Sequence, residues 1–254
     1  MAGEIERKLR RVPGDVGAAL ALLTRLPAPF ADHERGARAA WAWPVAGLAV
    51  ALIVGAVAAG GRWLGLADGV SAVLALAAGA VVTGGLHEDG LSDTLDGFGA
   101  GGSAERRLGV MKDSRIGAHG ALALLLSVLL RWSCLVVALE AGLLWPAVLV
   151  AGVASRAAMT VVAWALPHAR PDGLSRMTGR PTSDMALAAG LVALIVALLA
   201  SPARVILVAL VVAVAVVVLA RGAKRRLGGQ TGDVLGATQQ VGEMAALIAM
   251  TIWP

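Results

Sequence analysis

Gly84-Gly85-Leu86-His87-Glu88-Asp89-Gly90-Leu91-Ser92-Asp93-Thr94-Leu95-Asp96-Gly97 is the stretch where an apolar run passes without interruption into carboxylates. Read as a helix, it sets Asp89, Asp93 and Asp96 at i, i+4 and i+7, inside an arc of roughly 60°. Read as a strand, it would send Asp96 to the face opposite Asp89 and Asp93. Three carboxylates in one arc repel each other unless a cation lies between them. Oxygen-only ligands select hard ions, Mg²⁺ above all where phosphate supplies further ligands. Glu88 points roughly 100° away from Asp89 and stands outside that cluster. The plain alternative is a solvated acidic face, but the apolar run leading into the segment argues against free access of water.

Composition sets the frame for that segment. Of 254 residues, 58% are hydrophobic and only 15% charged, and the mean hydropathy is +0.78. Soluble domains carry far more charge, so the chain reads as an all-α, polytopic integral membrane helix bundle. About seven transmembrane helices, at roughly 20 residues each with loops, account for its length. One membrane-embedded domain over 1–254 is expected, with 1–38 a cytoplasmic or interfacial N-terminal segment and 39–254 the bundle. The net charge of +5 does not call for nucleic acid, because aromatics are few and no soluble module carries a basic tract. The excess cations suit loops beside the lipid bilayer or a phosphate. A single cysteine, Cys134, excludes an intramolecular disulfide. Arg7, Lys8, Arg10 and Arg11 precede a short apolar stretch, Val16 to Leu23, in the manner of a signal peptide. Glu4, Glu6 and Asp15 interrupt the basic region and Arg25 follows at once, which favours an interfacial amphipathic helix.

Apolar segments fall at about 40–60, 69–86, 118–139, 145–166, 185–200, 203–220 and 234–253. Sorting Lys and Arg by loop gives strict alternation. Seven precede the first span, from Arg7 to Arg38, and only Arg62 follows it. Arg106, Arg107, Lys112 and Arg115 come next, then none between Glu140 and Leu144. Arg170, Arg176 and Arg180 follow, then Arg204 alone, then Arg221, Lys224, Arg225 and Arg226. By the positive-inside rule the N-terminus lies in the cytoplasm and the C-terminus outside the cell membrane. Residues 87–96, Lys112–Arg115, the Arg170–Arg180 loop and 228–243 then share the cytoplasmic side. A transporter gathers polar groups at mid-bilayer depth on broken helices, whereas one-sided grouping suits an enzyme acting on a cytosolic substrate.

Several groups on that side suit phosphate chemistry. Lys112-Asp113-Ser114-Arg115 brackets a carboxylate and a hydroxyl with two cations, which would hold phosphate oxygens while Asp113 joins a metal or takes a proton. Ordinary positive-inside flanking accounts for Lys112 and Arg115 but not for Asp113. His87 is either a hydrogen-bonder at a span end or a catalyst beside Asp89. Arg131 and Arg156 lie within apolar segments and need partners, Glu140 being one candidate for Arg131, while Arg156 stands near enough to the cytoplasmic mouth to reach an anion. Gly228-Gly229-Gln230-Thr231-Gly232-Asp233 opens the last span as a glycine-rich turn suited to phosphate, although it is no Walker loop. Glu243, in otherwise apolar sequence, calls for a buried partner.

His87-Glu88-Asp89-Gly90-Leu91-Ser92-Asp93-Thr94-Leu95-Asp96-Gly97 resembles the H-L-D-G-L-A-D-T-x-D-G signature of the cobalamin synthase family, the adenosylcobinamide-GDP ribazoletransferases. Met111-Lys112-Asp113-Ser114-Arg115-Ile116-Gly117 matches its M-K-D-S-R-I-G, and Gly229 to Ala237 its late G-x-T-G-D-x-L-G-A. Leu23-Thr24-Arg25-Leu26-Pro27, Ser155-Arg156 and Ala169-Arg170-Pro171-Asp172-Gly173-Leu174 also fit. Glu88 departs from the family's usual apolar residue, and Ser175 departs as well. The resemblance implies a Mg²⁺-dependent membrane phosphotransferase in the last steps of coenzyme B12 assembly. It would join adenosylcobinamide-GDP to α-ribazole or its 5′-phosphate and release GMP. Under it, Asp89, Asp93 and Asp96 hold the metal, Lys112 and Arg115 the diphosphate with Ser114 beside them, and Asp113 a metal or the proton. His87, Arg156, Arg170 and Asp233 line the substrate site. The sequence leaves open a homo-oligomer and the number of metals. A CDP-alcohol phosphotransferase begins with the same Asp93-Thr94-Leu95-Asp96-Gly97, but its D-x-x-D-G-x-x-A-R pattern fails at Ala100-Gly101, where no Arg follows. A cation-coupled transporter is the rival from another class and requires an ion pathway across the bundle.

Overall fold

A computed structural model describes residues 2–253, with the side chains of residues 2–10 outside the description. The basic cluster Arg7, Lys8 and Arg10 therefore lies outside the described side chains. Helix α1, Ala2–Leu23, leads into a 3₁₀ run over His33–Ala42. It is tied there by Asp15, whose carboxylate accepts hydrogen bonds from Arg35 at 2.6 Å and from the Trp41 indole at 2.9 Å.

The long apolar runs form helices at the expected places. They are α2 (Trp43–Trp63), α3 (Asp68–Thr83), α6 (Ala118–Glu140), α7 (Leu144–Ala165), α9 (Ser183–Ala200), α10 (Val205–Leu227) and α11 (Gly232–Thr251). Helices of this length reach about 24–35 Å at 1.5 Å per residue, against a hydrocarbon core of about 30 Å. Five of the described helices are long and apolar enough to cross a membrane, or six if one bent pair counts as a single span. The expected seventh segment, α11, is helical but too polar to qualify on composition. It is the buried axis of the bundle, packed on α7, on the helix over Leu86–Gly99 and on α10, and its Gln239, Gln240 and Thr238 are enclosed. α6, α9 and α10 turn leucine, isoleucine and valine outward, among them Leu125, Leu129, Leu187, Ile206 and Val218. An apolar exterior wrapped around a polar axis is the arrangement of a bundle solvated by lipid.

The decisive departure from a plain bundle lies at Gly84-Gly85. Both glycines have positive φ, +66° and +71°, a region other residues enter at a cost. The sequence suggests that the acids project from the end of the second span. Instead the chain turns by 88° into a separate helix, α4 (Leu86–Gly99). α4 lies against α11 and α6. Where it crosses α11 there is no room for side chains: a Cβ on Gly90 would stand 2.7 Å from the Asp233 carbonyl, and one on Gly236 3.2 Å from the Gly90 Cα. Two short helices, α5 (Ala104–Val110) and α8 (Leu174–Thr178), complete the same end.

Candidate active site

Because α4 is helical, its three aspartates do share a face, but their surroundings differ. Asp89 is exposed, Asp93 half-buried and Asp96 buried. Asp96 accepts the backbone N–H groups of Gly117 at 2.7 Å and Gly120 at 2.8 Å, capping the N-terminus of α6. Both its carboxylate oxygens are thus engaged, which sets it apart from Asp89 and Asp93, the two it was expected to join at a metal. Among the described residues no group of three His, Cys, Asp or Glu side chains could hold one. Mg²⁺ is commonly held by one or two carboxylates with substrate phosphate and water completing the shell. Asp89 and Asp93, one turn apart, meet that smaller requirement with oxygen donors alone. The field at Asp93 agrees: burial, then the neighbouring Asp89, Asp233 and Asp96, push its carboxyl up to about 7, with Arg170 opposing. Burial and three acids outweigh the one opposing cation, Arg170.

Asp233 reaches this face from the first turn of α11. Thr231 caps the helix by accepting the Val234 N–H, and Asp233 accepts from Arg170 Nη2 at 2.8 Å. The loop that carries Arg170 is itself fastened to the glycine-rich turn. Gln230 donates its backbone N–H to Pro167 and accepts that of Ala169, and its side-chain oxygen accepts from Ser175 Oγ at 2.6 Å. His168 Nδ1 lies 3.0 Å from Gln230 Nε2. Burial and the nearby Arg176 and Arg180 cations lower the His168 pKa, which favours the neutral ring. Asp89, Arg170, Asp233, His87 and Ser175 together border a cleft of about 810 Å³. Of the site predicted from sequence, Asp89, His87, Arg170 and Asp233 are thus brought together. Ser175, Gln230 and His168 were missed there, because nothing in their spacing marks a loop-to-helix clamp.

The 112–115 segment stands apart. Lys112 donates to Asp172 at 2.7 Å, and Arg115 pairs with Asp113 at 2.7 Å, all on the exposed surface. Its contact with Arg115 holds the Asp113 carboxyl down at about 2, so it is a poor proton acceptor near neutrality. Of the two roles expected of Asp113, a metal ligand or the proton acceptor, this contact weighs against the second. Ser114 is exposed. The Lys112–Asp172 contact does join the 112–115 segment to the Arg170 loop, and Arg170–Asp233 joins that loop to α11. All four polar segments therefore meet at one end of the bundle.

Arg131 and Arg156 turn out to share one interior network, in which Arg156, expected at the substrate, is paired with an acid. Arg156 donates to Glu243 at 3.0 Å. Arg131 lies 3.1 Å from Glu88 and 3.5 Å from Glu243, while the proposed partner Glu140 is exposed at the far end of α6. Gln240 donates to Glu88 at 3.1 Å and accepts from Ser127 at 3.0 Å. Glu88 faces inward because it is offset about 100° from Asp89. His87, 1% exposed, forms part of the wall of both this interior cavity and the cleft.

A lipid-solvated helix bundle whose acidic, cation-rimmed cleft opens at one end defines the class, a polytopic membrane protein with a single-ended polar site. The family model for cobalamin-5-phosphate synthase matches residues 15–251, and the chain belongs to that family. Relatives named adenosylcobinamide-GDP ribazoletransferase agree with it nearly end to end. The one from Bradyrhizobium diazoefficiens is 43% identical over 94% of this chain and 94% of its own. Those from Mesorhizobium japonicum (42%; 96% and 95%) and Azorhizobium caulinodans (43%; 96% and 97%) are similar. No solved structure matches the chain.

Proposed function

We propose that the chain transfers the adenosylcobinamide-phosphate group of adenosylcobinamide-GDP to α-ribazole or its 5′-phosphate, releasing GMP. The observation that carries this reading is that Asp89, Arg170 and Asp233 border one cleft, with Asp93 in the field of all three, in a chain about two-fifths identical to ribazoletransferases throughout its length. In the reaction a ribose hydroxyl oxygen forms a bond to the phosphorus that bears the cobinamide arm. The bond from that phosphorus to the GMP oxygen breaks, and the hydroxyl proton is lost.

The residues take distinct parts in this proposal. Asp89 and Asp93 would hold Mg²⁺, which when bound neutralises phosphate charge. Arg170, held by Asp233, presents a guanidinium to phosphate oxygens. His87 stands buried at the back of the cleft with Nε2 unpaired among the described residues, placed to hydrogen-bond a substrate group. Lys112, Ser114 and Arg115 stand exposed outside the cleft, reaching it only through the contact of Lys112 with Asp172 in the Arg170 loop. The cleft would face the cytoplasm, with the C-terminus outside. A reporter fused to the C-terminus should then be active only outside the membrane, and cytoplasmic activity would reverse the orientation. Purified protein given both substrates should release GMP and form the joined corrinoid only when Mg²⁺ is present; no product at any Mg²⁺ concentration would reject the assignment.

A further inference from the structure

Asp89 borders a second cleft, of about 1140 Å³, on its other side. The two clefts share Leu22, Leu86 and Asp89 as a common wall. Three features of the second cleft are left unused by the first. Arg25 is exposed and forms no ion pair with any described residue. Its backbone N–H donates to Val82 at 2.7 Å, which pins it beside the α3–α4 break, and its guanidinium lies where a side chain on Gly84 would be. The N-terminus of α4 has no side-chain cap, so the N–H groups of Leu86, His87 and Glu88 lack helical partners. Ser92 lines the same cleft, is 3% exposed, and its Oγ has no hydrogen-bond partner among the described residues.

An unpaired cation, a helix N-terminus and an idle buried hydroxyl share one chemistry, since each donates hydrogen bonds to an anion. Lys112, Arg115 and Arg170 are each already engaged by a carboxylate. We propose that the second cleft is a phosphate subsite, in which Arg25, the α4 N-terminus and Ser92 take the phosphate oxygens of one of the two substrates. This rests on the transferase function proposed above. Group transfer requires two phosphate-bearing molecules to approach one phosphorus from different sides, and Asp89 is the point common to both approaches. The phosphate belongs either to the diphosphate of the donor or to the 5′-phosphate of the acceptor.

Steady-state kinetics of full-length Arg25→Gln in lipid nanodiscs separates these sources. Losing a charge-assisted hydrogen bond predicts a KM increase of about tenfold or more for the substrate bound there, larger than any fall in kcat. A rise for adenosylcobinamide-GDP, whichever acceptor is used, assigns the donor. A rise for α-ribazole 5′-phosphate but not for α-ribazole assigns the acceptor. Arg25→Lys should recover part of the loss. Ser92→Ala breaks no described hydrogen bond and should raise the same KM about threefold or more, so it decides the matter if Arg25→Gln fails to fold. Unchanged KM values for all three substrates overturn the subsite. If wild-type protein turns over neither substrate, the transferase reading fails by itself. Protection against thermal unfolding by inorganic pyrophosphate then decides: loss of that protection in Arg25→Gln supports the subsite, and equal or absent protection in both proteins overturns it.

Discussion

Glu243→Gln tests the interior network, because it removes one charge without changing volume. Glu243 stands 3.0 Å from Arg156 and 3.5 Å from Arg131, whose side chains are only 3% and 7% exposed. Arg131 keeps Glu88 at 3.1 Å, so the loss falls mainly on Arg156, which has no other carboxylate within ion-pair distance among the described residues. Leaving one buried cation unpaired costs about 3–5 kcal/mol. In a chain of this size each kcal/mol shifts the midpoint by about 2–4 °C, so thermal unfolding in a fixed detergent should fall by roughly 6–20 °C. Glu243→Gln combined with Arg156→Met should recover most of that drop, because replacing a whole buried pair by apolar groups is close to neutral. Glu88→Leu should cost less than Glu243→Gln, since Arg131 retains Glu243. A midpoint for Glu243→Gln within about 2 °C of wild type would show that water or lipid, not this acid, compensates Arg156.

Asp96→Ala should destabilise the start of α6 by about 1–2 kcal/mol, seen as a lower melting midpoint, while leaving the Mg²⁺ concentration for half-maximal turnover in place. Gly90→Ala should force α4 off α11, costing about 1–3 kcal/mol in the melting midpoint. Because it moves Asp89 relative to Asp233, kcat should fall by about tenfold or more. With Asp93 near 7, protons compete with the cation. Apparent Mg²⁺ affinity should weaken by up to about tenfold per unit as pH falls below 7 and level off above it, which Mg²⁺ titrations of turnover at several pH values would follow. Lys112→Ala removes an exposed pair with Asp172 and should change the melting midpoint by no more than about 1 kcal/mol permits.

The helices were legible because each long apolar run has only one way to satisfy its backbone in lipid. The Gly84-Gly85 turn left a visible mark as a glycine pair, yet the apolar run continues through Leu86 and hides the 88° bend. That bend is what spreads the aspartates from surface to interior, so the shared face could be read from spacing while the separate duty of Asp96 could not. Its partners, the N–H groups of Gly117 and Gly120, are backbone atoms more than twenty residues away. Arg131 and Glu243 announced that they needed partners. The partner of Arg131 was Glu88 rather than Glu140, which depended on the bend into α4. Lys112 and Arg115 read as free cations because a sequence does not show that Asp172 and Asp113 already engage them.

The central claim is that a divalent cation on Asp89 and Asp93 makes the cleft active, and Asp93→Asn measures it most directly. Following GMP release from adenosylcobinamide-GDP and α-ribazole across a Mg²⁺ titration, the variant should insert and melt like wild type yet lose most turnover at limiting Mg²⁺, with partial recovery at high concentration. Wild-type turnover by Asp93→Asn at limiting Mg²⁺ would contradict the account.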